Sequence, residues 1–293
     1  MFRTARRLLT RSLLPTFLLF ALMPGPAVRA ETQTAASVAP SVFAQLENRY
    51  QLAIHYQNIA DDFYSDWRSP PISARVEAVK PEDLPALQKI LDEALSAYPP
   101  TVIKSNLKLI GLAQRIYFYQ ELYGATYAYY EATDEGPIKS DVFLAAFSDE
   151  KDFDMHTYVL DSFHHEFSSI LMRNYPFPEK AWRAANPKTF VYVHENAEIP
   201  GLEALKEGHY NDTSEELYQG GFLTQYATSS LEEDFNIFTG MAFSQPEATL
   251  KLAAKYATVR RKLQLWREYY LSIDPAFAKT RIFEYYASQP LKP

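Results

Sequence analysis

One segment of the chain, residues 152–174, carries a helical pattern with two faces of opposite character. Its apolar residues recur at helical spacing and form a stripe suited to burial; they are Val159, Phe163, Phe167, Ile170 and Leu171. At about 100° per residue, the opposite face is largely polar; it holds Tyr158, Asp161, Ser162, His165, Ser169 and Met172. We therefore predict a central helix that packs on the core along one face and forms a cleft wall along the other.

The segments on either side of this helix predict an α+β fold. Helical spacing predicts helices at residues 41–66, 81–95, 230–243 and 247–273. Between residues 101 and 147, short β-branched and aromatic runs separated by turn residues predict strands, although residues 117–123 fit a helix equally well. A further strand is expected at residues 190–193, inside an irregular region at 175–229. The expected architecture is a small, mostly antiparallel sheet followed by the central helix and a mainly helical C-terminal part.

The first thirty residues have the features of a secretory signal peptide. A basic stretch with Arg3, Arg6 and Arg7 precedes an apolar run at residues 13–23, and residues 27–30 supply small side chains for cleavage. The run is too short to cross a bilayer of roughly 30 Å, so no membrane segment is expected after cleavage. We expect a disordered leader at residues 31–40 and one domain at 41–293, with its N-terminal helices and sheet in 41–150 and its helical part in 151–293.

The composition limits the chemistry and the partners. The chain contains no cysteine, which excludes a lipid anchor on an N-terminal Cys, disulfides and thiolate metal ligands. Any metal must therefore be held by His, Asp or Glu. Residues 1–30 hold five arginines and no acids, so their removal changes the formal charge from −7 to −12. Such an acidic chain does not suit nucleic acid or anionic membranes, and we expect a periplasmic or secreted protein.

His165 and Glu166 match the first half of a zinc-peptidase helix. In the HExxH pattern, two histidines four residues apart bind zinc from one helix face, and the glutamate polarises the bound water. Here Ser169 stands at the second histidine position, and a neutral hydroxyl is a poor zinc ligand. His164 cannot replace that histidine because it lies about 100° round the helix. This half-motif alone favours a structural histidine over a metal ligand.

A second segment, residues 221–235, resembles part of a known family. Its sequence is Gly-Phe-Leu-Thr-Gln-Tyr-Ala-Thr-Ser-Ser-Leu-Glu-Glu-Asp-Phe. It is similar to the third-ligand segment of gluzincin-type zinc-binding metallopeptidases, which include exported lipoproteins associated with substrate import. In that family a Gly-Phe…Tyr-Ala turn precedes a helix whose first glutamate completes the zinc site. The resemblance covers roughly residues 80–245 and includes His164-His165-Glu166-Phe167.

The resemblance implies a zincin-like fold and a zinc site. It implies His165 and Glu233 as metal ligands and Glu166 as the general base, with Tyr226 inside the second motif. The sequence departs from the family pattern at two positions: Ser169 replaces the second histidine, and Ile237 stands where many relatives carry another acid.

Ser169 makes a substitute ligand necessary if a metal binds. Asp161 is a candidate because it lies four residues before His165 on the same face. His194 and His209 are further candidates, since both lie in the irregular region and are able to fold over the cleft. The simpler interpretation of both histidines is a solvated or backbone-bonded surface residue. Tyr226 suits oxyanion stabilisation, although packing is the default role of a tyrosine.

Other charged residues and histidines are expected to have structural roles. Glu232 and Asp234 are expected to be first-turn acids of a helix capped by Ser229 or Ser230. The basic cluster at residues 260–262 is expected to lie on the solvated face of the last long helix. His55 and His156 are expected to be structural.

Three functions stay open. The first is an exported zinc-dependent metallopeptidase or amide hydrolase that acts on a peptide or protein through metal-activated water, with activity weakened by Ser169. The second is an inactive zincin-fold protein that binds peptide or glycan in the cell envelope. The third is a structural envelope protein whose resemblance is accidental. The sequence holds no phosphate-binding glycine loop and no G-x-S-x-G nucleophile elbow.

Overall fold

The structure, a computed structural model, describes residues 41–130, 139–197, 200–208 and 212–289. The expected signal peptide at 1–30, the leader at 31–40 and the candidate ligand His209 lie outside these residues. Among the helices of the described part, none is both long and apolar enough to cross a membrane.

Six strands form a mixed sheet around one long strand. The strands are β1 (Ala53–His55), β2 (Arg75–Ala78), β3 (Leu107–Phe118), β4 (Glu121–Tyr123), β5 (Ala125–Ala128) and β6 (Ser140–Ala145). The order is β1-β3-β6-β5, with β2 and β4 also paired to β3. The β2–β3, β3–β4 and β5–β6 pairs are antiparallel, whereas β1 and β6 both run parallel to β3. Antiparallel pairing is therefore the more frequent kind, although the long strand β3 pairs in parallel with both β1 and β6.

Helices precede and follow the sheet, which confirms the α+β class. They are α1 (Ala44–Tyr50), α2 (Leu84–Ser96), α3 (Pro100–Asn106), α4 (Met155–Asn174), α5 (Glu179–Ala184), α6 (Pro200–Lys206), α7 (Glu215–Gly220), α8 (Leu231–Ser244), α9 (Pro246–Lys255), α10 (Ala257–Ile273) and α11 (Arg281–Ser288). Short 3₁₀ turns lie between several of them, including one at Tyr226–Thr228.

Helix α4 occupies the central position that its pattern predicts. All five residues of its apolar stripe are buried. The helix contacts α2, β5, β6 and α8, and so lies between the sheet and the C-terminal helices. The Asp154 carboxylate accepts a hydrogen bond from the Thr157 backbone N–H and caps the first turn. Because the apolar stripe fixes the rotation of α4, its polar face is turned towards α8 and the β4–β5 junction.

The first predicted helix is wrong beyond Tyr50. Gln51 adopts a left-handed conformation with φ 54° and ends α1. The following residues form β1, where Ile54 lies beside Ile110 of β3. Pairing with a distant strand therefore overrides the local helical spacing that the sequence shows.

Two other predicted elements differ from the structure. The segment 190–193 is not a strand, although the backbone N–H groups of Val193 and His194 donate to the carbonyls of Thr228 and Ser229. The predicted helix at 247–273 is two helices, α9 and α10, because Tyr256 is extended, with φ −114° and ψ 117°. In both segments the backbone conformation differs from the one that the spacing of apolar side chains predicts.

A buried ion pair joins α8 to α10. Lys262 is fully buried, and its Nζ lies 2.9 and 2.7 Å from the two carboxylate oxygens of Asp234. The Trp182 indole N–H and the Tyr192 hydroxyl also donate to Asp234 Oδ2. The expectation of a solvated basic cluster is therefore wrong for Lys262, since the anion that neutralises it comes from another helix. This network fixes the first turn of α8, which also carries Glu233.

Replacement of Asp234 by Asn removes the counter-charge of Lys262 and keeps the size of the side chain. A buried ammonium group without its anion costs about 3–5 kcal/mol. We expect urea unfolding of Asp234→Asn to show a loss of that size. Asp61→Asn is the matched control, because Asp61 has an 81% exposed side chain 3.8 Å from Arg68 and should change stability little. Equally small effects in both variants would show that the buried pair is not a principal constraint on α8.

Candidate functional site

A cleft of about 310 Å³ opens between α4, the β4–β5 junction and α8. The residues that line it are Leu122, Tyr123, Gly124, Ala125, Phe147, Tyr158, Asp161, Ser162, His165, Glu166, Leu205, Tyr226 and Ile237. Gly124 is needed at the junction, because a Cβ atom there would lie only 1.7 Å from the Tyr158 hydroxyl. The polar face of α4 thus forms one wall of the cleft, as its pattern predicts.

His165 and Glu233 meet at the cleft. His165 Nε2 lies 3.2 Å from Glu233 Oε2, and their side chains are only 4% and 6% exposed. Burial alone would lower the pKa of His165, but the carboxylates of Glu233, Glu166 and Asp161 more than offset burial and raise it. Two ligands placed about 2.0–2.2 Å from one tetrahedral zinc lie roughly 3.4 Å apart. The observed separation therefore allows both side chains to reach one ion.

The start of α8 positions Glu233. Ser230 is the N-cap, and its hydroxyl accepts a hydrogen bond from the Glu233 backbone N–H. The neighbouring acids point elsewhere. Glu232 accepts a hydrogen bond from the Tyr127 hydroxyl and lies 3.5 Å from Arg173, while Asp234 binds Lys262. The three consecutive acids therefore have different partners. Their positions depend on these contacts as well as on the favourable effect of negative charge in the first turn of a helix.

Glu166 lines the cleft and is fully buried. Among the described residues, neither of its carboxylate oxygens has a hydrogen-bond partner. Burial raises the pKa of Glu166 to about 7, although the charge of His165 acts in the opposite direction. A buried carboxyl group with a pKa near neutrality is able to accept or release a proton at physiological pH.

Ser169 does not reach the cleft. Its Oγ accepts a hydrogen bond of 2.7 Å from Asn236 Nδ2. Ser168 Oγ in turn donates to Asn236 Oδ1 over 2.6 Å. Ser169, four residues after His165, thus takes part in a polar link between α4 and α8. Asn236 is not among the predicted site residues, although its place three residues after Glu233 indicates that the two share one face of α8.

Neither Asp161 nor His194, the two candidate substitute ligands that the structure describes, completes a metal site. Asp161 lines the cleft, but its Oδ1 accepts a hydrogen bond from the Ser244 hydroxyl over 3.0 Å. His194 lies away from the cleft lining, with its Nε2 3.1 Å from Glu207. Within the part of the chain that the structure describes, no group of three or more His, Asp or Glu side chains is arranged to hold a metal.

The remaining residues associated with the motifs have distinct environments. Tyr226 lines the cleft, and burial, together with the charges of Glu233 and Glu166, raises its pKa well above the ordinary value. His164 points to the other side of α4, where it is hydrogen-bonded to the Tyr98 hydroxyl at 2.8 Å and stacks on Phe243. Burial lowers the pKa of His164 to about 3, so this histidine is neutral.

Burial of Glu166 makes the stability of the protein depend on pH. The pKa of this carboxyl group is about 7 in the folded protein, compared with an ordinary value of 4.5. Its ionisation therefore opposes folding, and the destabilisation develops as the pH rises from about 4.5 to 7. We expect Glu166→Gln to be more stable than the parent by about 3 kcal/mol at pH 8 and equally stable at pH 4.

Urea unfolding in the presence of a chelator measures this difference without any contribution from a bound metal. Glu93→Gln is the matched control, because the Glu93 side chain is 48% exposed beside His156. If Glu166→Gln increased the stability equally at both pH values, the ionisation of Glu166 would not be the cause of the increase.

The family that the sequence resembles is also the family whose sequence model matches the chain. The family described as "Putative zinc-binding metallo-peptidase" matches residues 115–272, which is more than half of the chain. A crystal structure of a putative zinc-binding metallo-peptidase from Bacteroides caccae is 19% identical, with 82% of this chain and 89% of that chain covered and a TM-score of 0.48. No curated protein matches the chain. Zinc is the cofactor that the family implies, and the chain belongs to this family of zinc-binding metallopeptidases.

Proposed function

We propose that this chain is an exported, metallopeptidase-like protein whose cleft binds peptides without cleaving them efficiently. The observation that supports this proposal is the hydrogen bond between Asn236 and Ser169. In the HExxH pattern, the position of Ser169 is that of the second zinc-binding histidine. Because the family is one of peptidases, peptides are the expected ligands. The signal-peptide features of the first thirty residues support export to the periplasm or secretion.

The residues present fit only part of a catalytic zinc site. His165 and Glu233 are close enough to share one ion, but catalytic zinc sites use three protein ligands and keep a fourth position for water. The Ser169 hydroxyl is bonded to Asn236, and the Asp161 carboxylate is bonded to Ser244. We therefore assign no catalytic step through zinc to this chain.

The cleft keeps features that suit a peptide. Its volume lies at the lower end of the range of about 300–1,000 Å³ for ligand pockets, which suits a short segment. Leu122 and Ala125 provide apolar contacts at one side. The unpartnered Glu166 carboxylate provides a hydrogen-bond acceptor for a backbone N–H group.

A second candidate is a zinc-dependent hydrolase with Glu166 as the general base. The 3.2 Å separation of His165 and Glu233 favours it, as does the position of Glu166 on the same cleft. Under this alternative, two protein ligands must hold zinc tightly enough for turnover. Metal binding by the unaltered protein therefore distinguishes the two candidates.

Restoration of the missing histidine tests the proposal. In Ser169→His combined with Asn236→Ala, the smaller residue on α8 gives room for the imidazole. We expect this double variant to bind zinc at least about 100-fold more tightly than the parent, because it regains a third protein ligand. Zinc titration of chelator-treated protein measures the affinity, and a quenched fluorescent peptide library reports cleavage.

The control adds Glu166→Gln to the double variant, which should still bind zinc but lose any gained cleavage. The decisive comparison is the parent protein itself. If it binds one zinc per chain tightly and cleaves peptides, and Glu166→Gln abolishes that cleavage, the hydrolase is correct and the proposed binding function is wrong.

A further inference from the structure

The charged side chains in and next to the cleft are mainly acidic. Asp161 and Glu166 line it, and Glu233 lies directly behind His165. Among the described residues that line the cleft, none is Lys or Arg. The imidazole of His165 is therefore the one basic group in the described lining, and it lies close to three carboxyl groups. The buried, low-dielectric surroundings strengthen the negative potential of these carboxyl groups. A cleft with this balance favours a cationic group on its ligand.

Glu166 provides a second, independent observation that points to a ligand. It is fully buried, and both of its carboxylate oxygens lack a hydrogen-bond partner among the described residues. Buried polar atoms are paired in the great majority of cases, because an unpaired one costs free energy. Since Glu166 lines the cleft, a molecule bound there is able to supply the missing donors.

Asp161 is held in place one helical turn from His165. The Ser244 hydroxyl donates to its Oδ1 over 3.0 Å. The carboxylate lies against Gly240 of α8, where a Cβ atom would come within 2.8–2.9 Å of its atoms. Gly240 thus leaves the space that the carboxylate occupies. Glu166 follows Asp161 by five residues, a helical rise of about 7.5 Å, which is close to the length of two extended peptide residues.

We propose that Asp161 binds an ammonium group carried by the peptide ligand, so that the cleft selects peptides with a free amino end or a lysine side chain. This inference rests on the proposed function, because it names the ligand class of the same cleft. An ammonium group at Asp161 forms charge-assisted hydrogen bonds. The next residues of the peptide then lie beside Glu166, where a backbone N–H group is able to donate to the unpartnered carboxylate.

A peptide-borne cation fits the site better than a metal ion does. Asp161, His165 and Glu233 do not form a three-donor group around one point, and no other such group occurs within the described ranges. An ammonium group carries three N–H donors and no acceptor, so the carboxylate of Asp161 and the other acceptors of the cleft are suitable partners for it.

The test compares the binding of tetra-alanine with that of N-acetyl-tetra-alanine to the mature chain by calorimetry at pH 7.5 with a chelator present. We expect the free peptide to bind at least about tenfold more tightly, because acetylation removes the charge. Asp161→Asn should reduce the affinity for the free peptide to that for the acetylated one. Glu93→Gln is the control, since Glu93 lines a different cavity on the other side of α4, and it should keep the tenfold difference.

Two more measurements separate the possible sources of the cation. N-acetyl-Ala-Lys-Ala-Ala is compared with its norleucine analogue, and tighter binding of the lysine peptide, lost in Asp161→Asn, supports recognition of a side chain. Gly240→Ala keeps the charge but displaces the carboxylate, so it should also abolish the preference for the cation. This variant keeps the test possible if Asp161→Asn does not fold.

The contrary outcomes are distinct. If free, acetylated and lysine peptides bind equally well, the ammonium site is wrong and the proposed peptide-binding function stands. If none of these peptides binds, both are wrong. If zinc alone binds the parent protein and this binding is lost in Asp161→Asn, Asp161 is a metal ligand and the ammonium proposal is overturned.

Discussion

Helices α4 and α8 face each other through polar side chains that are almost fully removed from water. His165 and Glu233 are 3.2 Å apart in this interface, and Asn236 joins Ser168 to Ser169 through hydrogen bonds of 2.6 and 2.7 Å. Buried polar groups must be paired with one another or with a ligand. The Ser168 and Ser169 hydroxyls are matched by an amide on the opposite helix, so this part of the interface is satisfied by protein groups alone. Both carboxylate oxygens of Glu166 lack a hydrogen-bond partner within the described chain, and Glu166 lines the cleft.

The constraints that hold this interface come from both sides of it. The apolar stripe of α4 packs on the sheet and fixes the rotation of the helix. The buried pair of Asp234 and Lys262 fixes the first turn of α8 from its outer side. Because Glu233 and Asp234 are adjacent, the same turn directs one carboxylate to His165 and the next to α10. The position of Glu233 thus depends on a contact outside the cleft.

Features with a strong local period were predictable from the sequence. The two faces of α4 and the bounds of α8 follow from residue spacing, and the family motif led to the prediction that His165 and Glu233 lie at one site. Their role as metal ligands stays a prediction. Other features depend on partners distant in sequence. The burial of Lys262 requires Asp234, 28 residues away, and the role of Asn236 requires Ser169, 67 residues away. The conversion of residues 53–55 from predicted helix to strand depends on β3. Spacing within one segment carries no information about such contacts.

Crystals grown with zinc and measured at the zinc absorption edge test directly whether this family member has a complete catalytic ligand set. We expect no anomalous peak of substantial occupancy between His165 and Glu233, with Ser169 still bonded to Asn236. A strong peak with His165, Glu233 and a third protein side chain all within about 2.3 Å would show that the ligand set is complete after all.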